Sequence, residues 1–531
     1  MKKKMMFFMV LTLLVILPLS LVHALEVFRS PTEVLHWDKA KAYNGYTLIY
    51  PQRSPSAVNF TFLIDMEGNV VHSWPGGSNP KLMEDGHILS GFNEMDWDGN
   101  RVFSARGAHH DTWKIYNKKL KEYTYIGCTR EQAYTEANAV VAGADPDRDY
   151  TGAYCDGIIE VDKNGKEIWR WRFLDHVVQD KNPAWPNYVG RGKTIADYPG
   201  KSDLNFITDR HRDFNEVPGV TGDWQHTNAL DYNEKLDHIA INSKHWSEFY
   251  VVDHGATFIP GDLEGSIALA ASDKGDFIYR FGNPSAYQQG KPPEYLNEGD
   301  QQMYGAHNIE WIDDGLPGAG NFLIFSNGCY NPKGFHSEVL EINPYLDASG
   351  KNTGSYVNPP DAGYGNRNTS NQIVWSYRSN MLTSFYSVGG SGAQRQPNGN
   401  TLICSARQGH IFEVTSNGEV VWEYLVPVGT RGVVKERYDS DGQNFRAFRA
   451  YRFSPDFPAF KGKDLTPKGK ITEMFAGVGP DPAGASKRGG RNRGGKGGGG
   501  KGGGGKAKGA AKGKAPTQDP DQPNPDAFYP Y

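Results

Sequence analysis

Two histidines stand in short polar phrases of this sequence, each close to an asparagine. His226 lies two residues before Asn228 in DWQHTNALDY, and His307 directly precedes Asn308 in GAHNIEW. A neutral imidazole is a nucleophile or general base near neutral pH, and an amide donor stabilises charge on a bound oxygen. A lone histidine is more often structural than catalytic. The two phrases therefore predict a reactive site only if the fold brings the starts of their strands together.

The elements that would position these histidines belong to a repeated phrase: an aliphatic run, a turn containing glycine, and a second strand ending in an aromatic residue. Clear copies are LIDMEGNVVHSW, IIEVDKNGKEIWRW and IFEVTSNGEVVWEY, at residues 63–74, 158–171 and 411–424. Asp-x-x-Gly favours a tight turn because the Asp side chain binds its own backbone and Gly tolerates a positive φ. Repeats at this spacing indicate a solenoid, an array or a propeller. An aromatic residue that wedges between sheets favours an all-β propeller with a central channel.

The ends of the chain differ in composition from its middle. Residues 1–24 combine three lysines with an apolar run and predict a signal peptide, an uncleaved anchor being the alternative. We expect a secreted, periplasmic or cell-surface protein without a transmembrane span after cleavage. The predicted organisation is an entry segment at 25–60, a propeller at 61–480 with long rim loops at 128–157 and 175–222, and a disordered Gly/Lys-rich tail at 481–531.

Charge is distributed unevenly along the chain. Residues 487–514 carry ten Lys or Arg and no acid, whereas the formal net charge of the whole chain is −4. The folded body is therefore about 14 charges negative and is unsuited to binding nucleic acid. The tail is predicted to be a flexible cationic tether that binds anionic cell-surface polymer, a partner or other copies of the chain, or a segment that only aids solubility.

Metal and disulfide signals are weak in this sequence. Asp145, Asp147 and Asp149 alternate as in the opening of a calcium loop, but the closing Glu of an EF-hand is absent. A structural calcium ion is thus a secondary hypothesis beside an ordinary acidic turn, and no other cofactor is expected. Of the four cysteines, Cys128 and Cys155 are the best candidates for a disulfide, the alternative being small buried residues.

Four phrases in one order resemble bacterial and archaeal arylsulfotransferases across roughly residues 40–475. They are DWQHTNALDYNEKLDHIAINSKHWSEFYVVDH, GDFIYRFGNPSAY, GAHNIEWIDDGLPGAGNFLIFSNG and SGAQRQPNGNTLICSARQGHIFEVTSNGEVVWEY. The resemblance implies an exported six-bladed propeller that moves a sulfuryl group from a phenolic sulfate to a phenol without a nucleotide donor. It also implies that a channel histidine is the nucleophile. Quinoprotein-like dehydrogenases share the Gly-then-Trp phrases, but the order of phrases favours arylsulfotransferases.

The resemblance assigns roles to particular residues. His226 and His307 match the family's first two channel histidines, with Asn308, and Asn228 by analogy, as amide donors to sulfate. Lys244 lies where relatives often have Arg, and Arg395 is the nearest cation in a later loop. The family's nucleophilic histidine belongs to a late blade, where this chain reads SFYSVGGSGAQRQPNGNTL and has no His. Either His226 or His307 has taken over that role, or the protein is a non-catalytic propeller that serves as an extracellular binding, matrix or filament-forming protein.

Overall fold

The computed structural model describes residues 30–134, 153–206, 224–363, 370–437 and 444–479. These residues form six antiparallel sheets, five with four strands and one with five, in a six-bladed β-propeller. The predicted all-β propeller is confirmed. The predicted signal peptide, the calcium loop with Asp145, Asp147 and Asp149, and the tail lie outside the described residues.

Each blade runs outward from a strand beside the channel, and the first three blades are built as follows. Blade 1 has the strands Ala447–Phe453, Tyr46–Pro51, Phe60–Ile64 and Val70–Pro75. Blade 2 has Lys81–Leu82, Ile88–Leu89, Asn93–Met95 and Arg101–Ser104. Blade 3 has Thr112–Asn117, Glu122–Tyr134, Ala153–Val161 and Glu167–Arg172.

The remaining three blades follow the same order. Blade 4 has Thr227–Asn233, His238–Ser243, Glu248–Asp253 and Tyr279–Phe281. Blade 5 has His307–Trp311, Phe322–Ser326, Glu338–Ile342 and Ile373–Tyr377. Blade 6 has Gly392–Arg395, Thr401–Ser405, His410–Val414, Val420–Leu425 and, outermost, Glu33–Trp37.

Both ends of the described chain help to close the ring. The late strand Ala447–Phe453 is the innermost strand of blade 1, paired with Tyr46–Pro51. Glu33–Trp37 pairs with the outer strand of blade 6. The segment 25–60, predicted to be an entry segment, therefore supplies strands to two blades. The sequence pattern missed them because each strand is short and one partner of each, Ala447–Phe453 or Val420–Leu425, is hundreds of residues away.

The repeated phrase forms the predicted turns. Asp65 Oδ1 accepts hydrogen bonds of 2.9 Å from the backbone N–H groups of Glu67 and Asn69. Gly68 has a φ of +85°, in the left-handed region that glycine adopts without a steric cost. The same geometry recurs at Gly165 and Gly418, whose N–H groups donate to the carbonyls of Asp162 and Thr415. The turn therefore sets the register of each outer hairpin.

The aromatic residues that end the repeated phrase are buried in the core, and Trp422 packs between two neighbouring blades. Trp74, Trp169, Trp171 and Trp422 are fully buried. Trp422 in blade 6 donates its indole N–H to the carbonyl of Met66 in blade 1, at 3.0 Å. A buried tryptophan removes a large apolar area from water and needs one acceptor for its N–H, and a neighbouring turn provides it.

Helices and short strand pairs lie outside the blades. The helices are His254–Thr257, Leu263–Ala270 and Ile471–Met474. The 3₁₀ segments are Ser56–Val58, Phe173–Asp175, Ile195–Asp197, Asp273–Gly275, Pro284–Tyr287, Leu382–Ser384, Ala406–Gln408 and Pro458–Phe460. Two-stranded pairs join Ser30–Pro31 to Glu436–Arg437, Val177–Val178 to Ser202–Asp203, and Val428–Gly429 to Gly432–Val433. None of the helices in the described ranges has the length and apolar character that crossing a membrane requires.

All four cysteines are buried thiols, so the proposed disulfide between Cys128 and Cys155 is not formed. The two residues lie on neighbouring strands of blade 3. Cys128 is opposite Ile158, however, and Cys155 is opposite Glu131. This three-residue offset separates the sulfurs by more than a disulfide spans.

A buried histidine outside the channel links blades 3 and 4 through two carboxylates. His254 Nδ1 lies 2.7 Å from Asp237 Oδ1, and its Nε2 lies 3.0 Å from Glu160 Oε2. Burial opposes the imidazolium charge, but the hydrogen bonds to the two carboxylates outweigh burial and raise the pKa of His254 to about 9. The protonated ring is therefore part of the folded state at neutral pH.

We expect this histidine to make stability depend on pH in the alkaline range. The folded pKa of His254 lies above the unfolded value of about 6.5, so its contribution is complete below that pH and is lost as pH rises through about 9. The loss is roughly 3 kcal/mol in the free energy of unfolding. Urea unfolding at several pH values should show this slope in wild type and in the exposed-site control His36→Gln, but not in His254→Gln. An equal slope in all three proteins would contradict the assignment.

Candidate active site

The starts of the innermost strands converge at one mouth of the channel. The ring of His226 lies 5.0 Å from that of His110 and 6.2 Å from that of His307, between centroids. Phe448 of blade 1 lies 6.1 Å from His110 and 6.2 Å from His307. The ring centroid of His245 lies 4.8 Å from that of His226. We call His110, His226, His245 and His307 the histidine cluster. The fold thus brings together the two histidines that the sequence singled out.

An unusual backbone conformation sets the direction of several side chains at this site. His110 and His226 have φ values of +59° and +50°, and Asn308 has +61°. Residues other than glycine rarely occupy this left-handed region, and such strain is common at functional sites. The pairing register shifts between Thr227 and Ala229 and between His307 and Ile309. These β-bulges at the strand starts redirect the side chains beside them.

The bulges show that the two histidines do not occupy equivalent positions in their blades, although the sequence phrases look alike. Asn228 and Asn308 are the extra residues of equivalent bulges, so they occupy matching positions in blades 4 and 5. His226 precedes Asn228 by two residues, whereas His307 precedes Asn308 by one. His226 therefore corresponds to Ala306 in the blade pattern, and the two histidines reach the channel from different positions.

His307 is held in one tautomer by the side chain of Asn327. His307 Nδ1 lies 2.7 Å from Asn327 Oδ1, and both groups are buried. Asn327 Nδ2 donates to the carbonyls of Ser387 and Gly390, at 2.6 and 3.1 Å, which fixes the orientation of the amide. The amide oxygen must then accept a hydrogen bond from Nδ1–H. Nε2 of His307 therefore carries the lone pair of a neutral imidazole.

Burial, together with nearby cationic side chains, keeps His226 and His307 neutral. Burial is the main cause that places the pKa values of His226 and His307 well below the ordinary range. The positive charge of buried Lys244 is the next cause for both rings. Arg130 adds to the effect at His226. Neutral imidazoles beside fixed positive charges form a site suited to a nucleophilic reaction on an anionic ligand.

Arg407 is a second cation near His307 that the sequence analysis missed. Both side chains lie beside Gly389. A Cβ atom at that glycine would be 3.5 Å from Arg407 Nη2 and 3.9 Å from His307 Cε1. Lys244 and Asn327 directly follow the second strands of blades 4 and 5, and Arg407 lies two residues after the second strand of blade 6. A polar or charged residue within two positions of the end of the second strand is the sequence signal that identifies them.

The two asparagines join neighbouring blades. Asn228 Nδ2 donates to the carbonyl of Ala306, at 2.9 Å, and its Oδ1 accepts from Asn242. Asn308 Nδ2 donates to the carbonyl of Ala393, at 3.3 Å. Both asparagines are completely buried. Their amide donors connect blade 4 to blade 5 and blade 5 to blade 6.

Arg395 and His410 are placed away from the histidine cluster. Arg395 ends the innermost strand of blade 6 at the opposite end of the channel, and its guanidinium binds Glu341. His410 begins the third strand of blade 6, where its Nε2 lies 2.9 Å from Glu423 Oε1. The late-blade loop that lacks a histidine contributes Ser387 and Gly390, whose carbonyls orient Asn327.

Among the residues that the structure describes, a cluster with metal-ligand chemistry lies in blade 2. Asp85, His87 and Glu94 bring their ligand atoms within 4.8 Å of one another. Lys114 Nζ already binds this group, at 3.1 Å from Asp85 and 2.9 Å from Glu94. The ammonium group therefore supplies the positive charge that the carboxylates require.

Fold and site together define a class: a six-bladed β-propeller whose channel holds neutral histidines among cationic side chains. The family model for arylsulfotransferase (ASST) matches residues 38–424. This match covers most of the chain, and the chain belongs to the arylsulfotransferase family. An arylsulfotransferase-like function follows, with an aryl sulfate and a phenol as the substrates that the family implies.

Comparisons with curated proteins and with solved structures add no information about function. No curated protein matches the chain. A protein of unknown function from Bacteroides caccae is 11% identical, with 77% of this chain and 99% of that chain covered and a TM-score of 0.33. Apo AztD from Citrobacter koseri is 10% identical, with 77% and 98% covered and a TM-score of 0.32. A virginiamycin B lyase from Staphylococcus aureus is 8% identical, with 75% of each chain covered and a TM-score of 0.25. Likeness at this level carries no functional argument.

Proposed function

We propose that this protein transfers a sulfuryl group from a phenolic sulfate to a phenol, with His307 as the nucleophile. One observation carries the proposal: Asn327 holds the Nδ1 proton of a buried, neutral imidazole, which leaves the Nε2 lone pair available. His307 thus takes the role of the late-blade histidine that this chain lacks. Lys244 and Arg407 replace amide donors as the groups that stabilise the sulfuryl oxygens.

The reaction then proceeds in two displacements at sulfur. Nε2 of His307 attacks the sulfur of the donor, the bond between sulfur and the aryl oxygen breaks, and a phenolate leaves and takes a proton from water. The sulfuryl group is now bound to Nε2. Nδ1 keeps its proton, which remains hydrogen-bonded to Asn327 Oδ1. An acceptor phenol gives its proton to the neutral imidazole of His226, and its oxygen attacks the sulfur. The bond between sulfur and Nε2 breaks, which restores the neutral imidazole of His307. His226 then gives its proton to the hydroxide left from the first step, so both histidines are neutral again.

Turnover of purified protein tests this function. The assay combines a chromogenic aryl sulfate as donor with a colourless phenol as acceptor, and measures both the released phenolate and the new sulfate ester. Acceptor-dependent formation of both products is the expected result. Absence of turnover with several donors, from protein shown to be folded, would refute the proposal. It would favour the alternative of a non-catalytic binding or matrix protein.

Asn327 is expected to act by positioning His307. Replacing Asn327 by Ala removes the acceptor for Nδ1–H, so the ring can rotate and exchange tautomers. We expect kcat to fall by about 100-fold with little change in KM, since groups that orient a reactive imidazole have effects of this size. Asn331→Ala is the matched control, because Asn331 lies four residues later and binds Glu298. Equal losses in the two variants would contradict the positioning role.

We also propose that the protein acts outside the cytoplasm. The support is the composition of residues 1–24, with three lysines before an apolar run. Amino-terminal sequencing of protein recovered from cells tests this, and a mature start at Leu25 is the expected result. A start at Met1 would contradict cleavage.

Truncation after residue 480 tests the cationic tail. Binding to anionic cell-surface polymer should be lost, whereas unchanged binding would refute the tail's role.

A further inference from the structure

A cavity occupies the end of the channel opposite the histidine cluster. Its volume is about 220 Å³, and the innermost strands of all six blades contribute to its wall, together with the turn after the innermost strand of blade 5 and Leu323 of the following strand. Trp113, Trp311 and Tyr451 supply aromatic surface, and Asp231, Glu310 and Asp313 supply carboxyl groups. We call this cavity the acid chamber.

Buried ion pairs separate the acid chamber from the histidine cluster. Arg449 follows Phe448 in the innermost strand of blade 1 and lies between Phe448, which faces the histidines, and Tyr451, which lines the chamber. Its Nη1 donates to Asp111 Oδ2 at 2.8 Å. Lys81 Nζ binds Asp111 Oδ1 at 2.6 Å. This charged layer makes the chamber a separate compartment of the channel.

The carboxyl groups of the chamber have no partner of opposite charge among the ion pairs of the described residues. Glu310 Oε1 is a buried atom without a hydrogen-bond partner. Asp231 accepts only backbone N–H groups, from Trp311 at 2.7 Å and Tyr232 at 2.9 Å. The cations at the wall are bound elsewhere, Lys81 to Asp111 and Arg395 to Glu341. The chamber therefore offers hydrogen-bond acceptors and negative charge to a ligand.

We propose that the acid chamber binds a small organic ammonium ion. The ammonium group donates to Glu310 Oε1 and to Asp231, and its carbon body packs on the rings of Trp311 and Tyr451. The ring of Trp113 already carries Lys81 Nζ at 3.6 Å from its centroid. Carboxylates combined with aromatic faces are the surroundings that organic cations prefer. The volume exceeds the roughly 150 Å³ that accommodates benzene in an apolar cavity, so benzylammonium has room to bind.

A metal ion fits the chamber less well than an organic cation. Hard cations prefer a shell of several oxygen ligands, whereas most of this wall is aromatic or aliphatic. Among the described residues, the group of three or more close ligand atoms is Asp85, His87 and Glu94 in blade 2, which does not line the chamber. The aromatic wall is the feature that selects an organic body.

Binding should strengthen as pH rises. Burial raises the pKa of Asp231 to about 7 and that of Glu310 to about 8, so both carboxyl groups are largely neutral in mild acid. The ionisable groups that influence them are Lys81, Arg449, Asp313 and Tyr451, together with each other. An ionised carboxylate attracts an ammonium ion and a neutral carboxylic acid does not. The affinity should therefore increase at least tenfold between pH of about 6 and about 8.5.

Isothermal titration calorimetry of the full-length protein with benzylammonium chloride tests the proposal, with benzyl alcohol as the uncharged probe of similar shape. At pH of about 8.5 we expect benzylammonium to bind at least tenfold more tightly than benzyl alcohol. Glu310→Gln should lose about tenfold in affinity, and Asp314→Asn, an exposed carboxylate nearby, should bind like wild type. His307→Ala should also bind like wild type, because the chamber is separate from the histidine cluster.

Several results would overturn the proposal: no binding of benzylammonium at millimolar concentration, equal affinity for benzyl alcohol, or unchanged affinity in Glu310→Gln. Loss of binding in His307→Ala would place the ligand at the histidine cluster instead. Circular dichroism verifies that the variants are folded. If Glu310→Gln does not fold, the pH dependence of wild-type binding decides, and an affinity independent of pH rejects the chamber as a cation site.

Discussion

Replacement of His307 by glutamine is expected to lower kcat for sulfuryl transfer by at least about a thousandfold, because removal of a covalent nucleophile causes losses of this order or larger. Glutamine keeps a polar side chain but offers no imidazole nitrogen to attack sulfur. The affinity for the aryl sulfate should change little, since Lys244 and Arg407 remain in place. Steady-state kinetics with the chromogenic donor measures both parameters.

Covalent trapping separates the nucleophile from its neighbours. Wild-type protein quenched after exposure to donor without acceptor should carry one additional sulfuryl group, located on His307 by peptide mass spectrometry. His226→Gln is the matched control: it should still form this adduct but pass it to the phenol more slowly. An adduct on His226, or turnover retained in His307→Gln, would overturn the assignment of His307.

Replacement of Asp111 by alanine is expected to reduce the free energy of unfolding by about 3–5 kcal/mol, since it leaves buried charges without a partner. Asp111 is completely buried in blade 3. It binds Lys81 of blade 2 at 2.6 Å, Arg449 of blade 1 at 2.8 Å and the backbone N–H of Leu230 in blade 4 at 3.3 Å. One carboxylate thus connects four of the six blades. Urea unfolding followed by tryptophan fluorescence measures the loss.

A half-exposed ion pair provides the control for Asp111. Asp175→Ala removes the partner of Arg172 near the surface and should cost less than about 1 kcal/mol. Equal losses in the two variants would contradict the central role of Asp111. Burial alone would raise the pKa of Asp111, but Arg449 and Lys81 outweigh it and lower the pKa to about 2. This stabilising contribution is present above the unfolded pKa of about 3.9 and is lost as pH falls through about 2.

The site could be predicted from the sequence only in part. The sequence predicted that His226 and His307 approach each other, because strand starts in a propeller converge on the channel. It did not identify Asn327 or Arg407, since their roles depend on the loop at residues 384–391 from another part of the chain. Arg395 follows that loop in the sequence but lies at the other end of the channel, because the extended strand Gly392–Arg395 carries the chain away from the loop.

Local sequence patterns were sufficient to predict the architecture. Each copy of the turn phrase forms its hairpin through contacts within about a dozen residues, and Asp65, Gly68 and Trp74 illustrate that local control. Which polar groups meet depends on contacts between blades that are distant in the sequence. Asn228 and Asn308 became links between blades because bulges displaced them from the strand register, and His307 acquired a defined tautomer from Asn327 on the neighbouring strand. Ring closure brings together residues as distant as Asp111 and Arg449, and such contacts leave no local pattern because their geometry is set by the packing of all six blades.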